Sequence, residues 1–137
     1  MKRVLALAFL ALLPLAFASS ADAASERSFI GLWKGIDAVD GGEALHSITC
    51  FRDGACQLVA TDSVVSFCGG GSAFIGGTGS LEGDELVFPD AVLTCREDTV
   101  VELELRYERD RRNRTIVVTA VVDGIPFRSI VFHKISN

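Results

Sequence analysis

The chain has 137 residues, with 18 acidic against 13 basic side chains and a formal net charge of −5 at neutral pH. An acidic chain is a poor binder of nucleic acid or of an anionic membrane surface, because like charges repel. Its length suits one domain and is too short for two.

The first predicted element is an export signal over residues 1–23. A basic start, Met1-Lys2-Arg3, precedes an apolar run over 4–17, and small residues follow up to Ala23. This order is typical of a secretory signal peptide, and the apolar run is shorter than the roughly 20 residues that a membrane-spanning helix needs. We expect cleavage after Ala23. Residues 24–137 would then form one domain with a net charge of −6, without membrane insertion, in a secreted or periplasmic location.

Strand-like runs bounded by turn residues follow along the rest of the chain, and helix signals are nearly absent. The clearest alternation sets Leu103, Leu105 and Tyr107 against charged neighbours, which predicts one buried and one solvated face. A run at Ser63–Phe67 continues the third strand or forms another. The eight principal strands are predicted at Phe29–Asp37, Leu45–Phe51, Ala55–Thr61, Ala73–Leu81, Glu85–Leu93, Val100–Glu108, Thr115–Val122 and Ile125–Ile135.

The short connections predict that strands adjacent in sequence lie side by side. A meander of eight strands removes its exposed edges most simply by closing into a barrel. The predicted fold class is therefore all-β, a single antiparallel eight-stranded up-and-down β-barrel. A two-sheet β-sandwich remains the alternative, because hairpin order alone does not show closure. Within the fifth strand, Pro89 predicts a bend or an edge position.

Four cysteines in an exported chain of this size predict two disulfides rather than a zinc site or a reactive thiol. Cys50, Cys56, Cys68 and Cys95 can pair in three ways. The segment Arg52-Asp53-Gly54 resembles a three-residue hairpin loop, which sets Cys50 directly opposite Cys56 and within reach of a bridge. Cys68 is then left to pair with Cys95.

The first strand carries Gly31-Leu32-Trp33. A glycine two residues before a tryptophan, on the first strand of an eight-stranded meander, resembles the lipocalin and wider calycin barrels. The resemblance implies that Trp33 closes one end of the barrel and packs against a basic side chain of the last strand, either Arg128 or Lys134. Barrels of this size can hold one small apolar molecule. The candidate walls of such a pocket are Trp33, Phe74, Phe88 and Phe127.

Two functional hypotheses stay open. The first is a secreted, monomeric binding protein for a small apolar molecule. The second is a secreted inhibitor that binds a protein such as a protease through its N-terminal segment Ala24–Ser28 or the glycine-rich loop Gly69–Ser72. The smaller barrels of this architecture include avidin-like proteins and secreted bacterial metalloprotease inhibitors, so length does not separate the two.

Catalysis, metals and cofactors are not expected. Only His46 and His133 are available to activate a serine, and no Gly-x-Ser-x-Gly elbow is present. The spacing of cysteines and histidines does not supply a zinc site. The protein is therefore expected not to be an enzyme.

A local concentration of basic residues precedes and enters the sixth hairpin turn. Glu108 and Asp110 interrupt it, and a short run of mixed charge usually faces solvent. We predict a solvated hairpin tip, with an anion-binding patch as the less favoured alternative. The basic residues are Arg106, Arg109, Arg111, Arg112 and Arg114.

Overall fold

A computed structural model describes residues 25–38, 41–63, 68 and 71–137, all but the side chain of Arg128. The predicted export signal lies outside these residues. So do the predicted strand at Ser63–Phe67, apart from Ser63, and the glycines at 69 and 70 of the candidate inhibitory loop. Those interpretations stay predictions.

Eight antiparallel strands form a closed barrel, in which each strand pairs with its neighbours in sequence and the last strand pairs with the first. The predicted barrel is confirmed, and the two-sheet sandwich is excluded. The architecture is compatible with the calycin-like fold that the Gly31-Leu32-Trp33 motif resembles. The strands are β1 Gly31–Ile36, β2 Glu43–Cys50, β3 Cys56–Asp62, β4 Ala73–Glu82, β5 Glu85–Cys95, β6 Val100–Asp110, β7 Thr115–Val122 and β8 Ile125–Ser136.

A short 3-10 helix, Glu26–Ser28, precedes β1 and was not evident from the sequence. Its backbone is held by the N–H of Ser28, which donates to the carbonyl of Ser25 at 2.8 Å, and by the N–H of Phe29, which donates to that of Glu26 at 3.0 Å. Phe29 is completely buried. The helix therefore leads the chain onto the end of the barrel where β1 begins.

The barrel interior is packed with apolar side chains from all eight strands. In β6, Leu103, Leu105 and Tyr107 are buried while Glu102 and Arg106 face outward, as the alternation predicted. Complete burial of one large apolar side chain stabilises the fold by about 1.5–3 kcal/mol. This interior is the single hydrophobic core among the described residues.

The predicted irregularity at Pro89 is confirmed. β5 shifts its register against β6 between Phe88 and Ala91, and both Pro89 and Asp90 are exposed. Proline has no backbone N–H to give to the sheet, and a bulge accommodates it without leaving a neighbouring carbonyl in the ladder unpaired.

Both predicted disulfides are present. Cys50 and Cys56 face each other across β2 and β3. Cys68, in the connection after β3, is joined to Cys95 at the end of β5. Two disulfides fit an oxidising environment outside the cytosol. No helix of the described residues is long and apolar enough to cross a membrane.

The barrel has two ends that are referred to by name below. The Trp33 end is where β1 begins and β8 ends, and it carries the turns at 51–55, 83–84 and 111–114. The loop end carries the other four connections, at 37–42, 63–72, 96–99 and 123–124. Because consecutive strands are antiparallel, Cys50–Cys56 lies at the Trp33 end and Cys68–Cys95 at the loop end.

Candidate ligand site in the barrel interior

Trp33 plugs one end of the barrel. Its indole is 3% exposed, and Nε1 donates a hydrogen bond to the carbonyl of Phe29 at 2.7 Å. The ammonium of Lys134 lies 5.5 Å from the centre of the ring. This is the arrangement that the calycin resemblance implied, with Lys134 in the basic role.

Two glycines on β1 explain why this plug fits. Gly31, Trp33 and Gly35 point to the same face, because strand side chains alternate. A Cβ at Gly31 would lie 2.6 Å from Cε of Lys134, in a backbone with φ of 132° that side chains rarely adopt. A Cβ at Gly35 would lie 2.8 Å from the ring of Phe132. Gly31 therefore makes room for the end of β8, and Gly35 makes room for a core ring, rather than for a ligand.

A polar pair is buried further inside the barrel. Nδ1 of His46 lies 2.7 Å from the hydroxyl of Tyr107. The imidazole packs against the ring of Phe132 at 4.4 Å between centres, and Tyr107 meets Phe88 edge to face at 5.4 Å. Aromatic rings therefore surround this pair. Among the described residues, the bond between them is the only hydrogen bond of either side chain.

The protonation of this pair follows from its burial. Burial lowers the pKa of His46 to about 3, so the imidazole is neutral under ordinary conditions. Burial, and to a lesser extent the charge of Asp62, raises the pKa of Tyr107 well above its usual value. We assign the Tyr107 hydroxyl as the donor to Nδ1, which leaves the imidazole proton on Nε2. The other tautomer would leave both the hydroxyl proton and the Nε2 lone pair without a partner among the described residues.

Nε2 of His46 is buried and has no hydrogen-bond partner among the described residues. Leaving a buried donor unsatisfied costs about 1–3 kcal/mol. An acceptor atom placed beside Nε2 would recover that free energy. His46 is therefore the polar group of the interior that is best suited to bind something.

On β2, β3 and β4, the loop-end half of the interior is lined by small and acidic side chains, whereas Leu93 on β5 and Leu103 on β6 line its other side. Asp62 lies in register between Ala44 on β2 and Ala73 on β4, and Ala60 follows one step deeper. Asp37, just after β1, is also buried. This half contrasts with the rings that fill the Trp33 end.

The structure does not bring the four predicted pocket walls together. Trp33 and Phe88 are both buried in the interior. Phe74 is 66% exposed, because it alternates with the buried Ala73 and points out of the barrel, and Phe127 is 51% exposed. The sheet therefore separates Phe74 from the interior pair, and the ligand role of Trp33 and Phe88 stays a prediction.

From the sequence, His46 is evident only as a group that could activate a serine, and its pairing with Tyr107 is not evident. One signal was available, since His46 alternates with Ala44 and Ile48 and so lies on the apolar face of β2. His133, in contrast, is exposed. The described residues contain no cluster of three or more histidine, cysteine or acidic side chains that could hold a metal ion.

The five arginines around the sixth hairpin are all exposed, as predicted, but they divide into separate groups. Arg106 forms ion pairs with Glu104 and Glu85, and Arg111 lies 3.9 Å from Asp84. Two others, Arg109 and Arg114, line a depression at the Trp33 end.

Comparisons with known proteins do not extend this picture: no protein-family model matches the chain, and searches of curated proteins and of solved structures found no match. The function therefore has to be inferred from the geometry of the barrel. A closed barrel with one plugged end and a buried unsatisfied donor is compatible with a binding protein.

Proposed function

We propose that the protein is an exported, non-enzymatic binding protein that holds one small molecule in the loop-end half of its barrel. The molecule has an apolar body and one hydrogen-bond acceptor. The observation that carries this proposal is the buried Nε2–H of His46, which has no partner among the described residues.

Because Trp33 blocks one end of the barrel, a ligand would enter through the loop end. An eight-stranded barrel is wide enough to be filled by side chains or to hold one small ligand. Large rings occupy the Trp33 end, whereas Ala44, Ala60 and Ala73 leave more space on the β2–β4 side of the loop-end half. Leu93 and Leu103 fill its β5–β6 side. Binding there would place a ligand between the connections and His46.

The acceptor group is expected to be neutral, for example a carbonyl. His46 carries no positive charge at neutral pH, because burial lowers its pKa to about 3. An anionic ligand would therefore be buried without a cation from His46, at a large cost in free energy. The same low pKa makes His46 a poor general base near neutral pH, which favours binding over catalysis.

The first test is native mass spectrometry of the protein purified from its own exported fraction. We expect a copurifying small molecule in the wild type and its loss in His46→Phe, which keeps a planar ring but removes the donor. His133→Phe is the matched control, because His133 is exposed and its change should leave the complex intact.

If no adduct copurifies, the wild type is incubated with medium-chain methyl ketones and methyl esters and measured again. Absence of binding to both classes would overturn the proposal. Equal binding by wild type and His46→Phe would also overturn it, since the acceptor would then not contact Nε2. Near-ultraviolet circular dichroism of each variant reports whether the core remains packed.

A second candidate is the protein-binding inhibitor. It is favoured by the Cys68–Cys95 bridge, which fixes Cys68, in the connection after β3, to the end of β5 at the loop end. A constrained segment loses less entropy on docking. Stoichiometric inhibition of a protease panel, abolished by Cys68→Ala/Cys95→Ala, would support this candidate, and no inhibition of any protease would remove it.

A further inference from the structure

A second depression opens at the Trp33 end, outside the barrel interior. It has a volume of about 550 Å³ and is lined by basic side chains from four separate elements. Its other lining residues carry no charged side chain. A carboxylate at Asn137 would offset at most one of four positive charges, so the local charge is positive although the chain as a whole is acidic. The basic residues are Arg27 of the 3-10 helix, Arg109 of β6, Arg114 of the β6–β7 turn and Lys134 of β8.

None of these four side chains forms an ion pair with a carboxylate of the described residues. The contrast with other basic residues is clear, because Lys34 pairs with Glu43, Arg106 with Glu104 and Arg111 with Asp84. Neighbouring like charges repel, and a bound anion offsets that repulsion. The depression therefore has positive charge available for a ligand.

Asp110, which follows Arg109 in the sequence, is engaged within the turn. Asp110 accepts hydrogen bonds from the side chain of Asn113 at 2.7 Å and from the backbone N–H of Arg112 at 2.9 Å. These hydrogen bonds lower the pKa of Asp110, and the bond from the side chain of Asn113 contributes most. They hold the turn in which Arg114 has φ of 56°. Asp110 thus shapes the turn rather than neutralising the depression.

Lys134 is also held in place. Its aliphatic chain lies against Gly31, where a Cβ would meet Cε at 2.6 Å, and its ammonium lies over Trp33. Side chains that are ordered before binding lose less conformational entropy when a ligand arrives. At least one cation of the depression is therefore prepositioned by the same motif that plugs the barrel.

We propose that this depression binds a phosphate group. Guanidinium groups match phosphate oxygens with paired hydrogen bonds, and a phosphate monoester carries a charge of about −1.5 to −2, which suits several converging cations better than one carboxylate does. A long polyanion such as nucleic acid is disfavoured, because the rest of the surface is acidic. The phosphate belongs either to a soluble compound or to a lipid headgroup.

Trp33, the single tryptophan of the chain, lines the depression and serves as the reporter. Titration with inorganic pyrophosphate at low ionic strength should give a saturable change in its fluorescence, with the same affinity by calorimetry. Arg109→Ala/Arg114→Ala should weaken binding by roughly tenfold or more. Lys34→Ala/Arg96→Ala removes the same charge nearer the loop end, away from the depression, and should change the affinity by less than about twofold in comparison.

Cosedimentation with phosphatidylcholine vesicles that contain phosphatidic acid distinguishes the two sources. Binding to these vesicles, lost in Arg109→Ala/Arg114→Ala, assigns a lipid headgroup, and binding of pyrophosphate alone assigns a soluble phosphate. The proposal is overturned if neither probe binds, or if both double variants weaken binding equally. The interior site and its ligand do not enter this test, so the two proposals succeed or fail separately.

Discussion

The two ends of the barrel are built differently. The Trp33 end is filled by aromatic rings, receives the 3-10 helix and gathers four basic side chains that form no ion pair with any described carboxylate. The loop end has small interior side chains and a mostly acidic rim, with Asp37, Asp62, Asp98 and Asp123 among its described residues. One end thus consists of packed core with a charged exterior, and the other has small interior side chains on β2, β3 and β4.

We therefore expect one end of the barrel to contribute mainly to stability and the other mainly to binding. Stability is concentrated where the interior is most completely packed, because dense burial of large side chains contributes most to folding. Adaptable binding belongs where smaller side chains and longer connections occur. The predictions below test that division, beginning with the change expected to matter most.

Removing the plug should have the largest effect on stability. We expect Trp33→Ala to lower the free energy of unfolding by about 3–5 kcal/mol, because it deletes a buried indole and leaves a cavity. Phe74→Ala removes an exposed aromatic side chain and should cost about 0.5 kcal/mol or less. Urea unfolding followed by far-ultraviolet circular dichroism measures both. A Trp33→Ala cost no larger than that of Phe74→Ala would refute the plug.

The two disulfides allow the ends to be compared directly. Cys68–Cys95 spans 27 residues and Cys50–Cys56 spans 6. Because closing a longer loop removes more entropy from the unfolded chain, we expect losses of about 3.5 kcal/mol for Cys68→Ala/Cys95→Ala and about 2 kcal/mol for Cys50→Ala/Cys56→Ala. Denaturant midpoints of the two double variants give the ranking. The reverse order would mean that the Trp33 end depends on its bridge more than chain entropy explains.

Filling the space above Gly35 should disturb the interior moderately. Gly35→Ala places a methyl group 2.8 Å from the ring of Phe132 and is expected to cost about 1–3 kcal/mol. Gly76→Ala is the control, since the nearest atom to its new methyl group would be a carbonyl of Leu58 at 3.9 Å. That variant should be neutral or slightly more stable. Thermal unfolding of both variants tests whether the interior beside β1 is fully packed.

The smallest effect is a dependence of stability on pH from His46. Its pKa in the folded protein is about 3 against a usual value of 6.5, so the unfolded chain takes up this proton first as pH falls. Stability is therefore complete above about pH 6.5 and declines below it. Between pH 6 and pH 5 the expected loss is about 1 kcal/mol.

Comparison of the pH slopes of the wild type and His46→Phe isolates this contribution from that of the carboxylates. His133→Gln, at the exposed histidine, should retain the wild-type slope. If His46→Phe also retained the wild-type pH slope, His46 would not be buried in the neutral form. The proposed hydrogen-bond donor at Nε2 would then have no support.

The sequence by itself determined most of the local structure. The strand Thr115–Val122 was predicted with its observed limits, and the Cys50–Cys56 pairing followed from the hairpin between them. Period-two alternation placed Leu103 and Leu105 inside. These features depend on residues close together in the chain, where backbone geometry translates spacing directly into position.

Only the tertiary structure decided barrel closure, the His46–Tyr107 pair and the gathering of cations at the Trp33 end. Strand β1 meets β8 only after the twist and tilt of every intervening strand have accumulated. His46 and Tyr107 are 61 residues apart, and Arg27 and Lys134 come from opposite ends of the described chain. Their proximity depends on how the whole sheet curves, which no local pattern encodes.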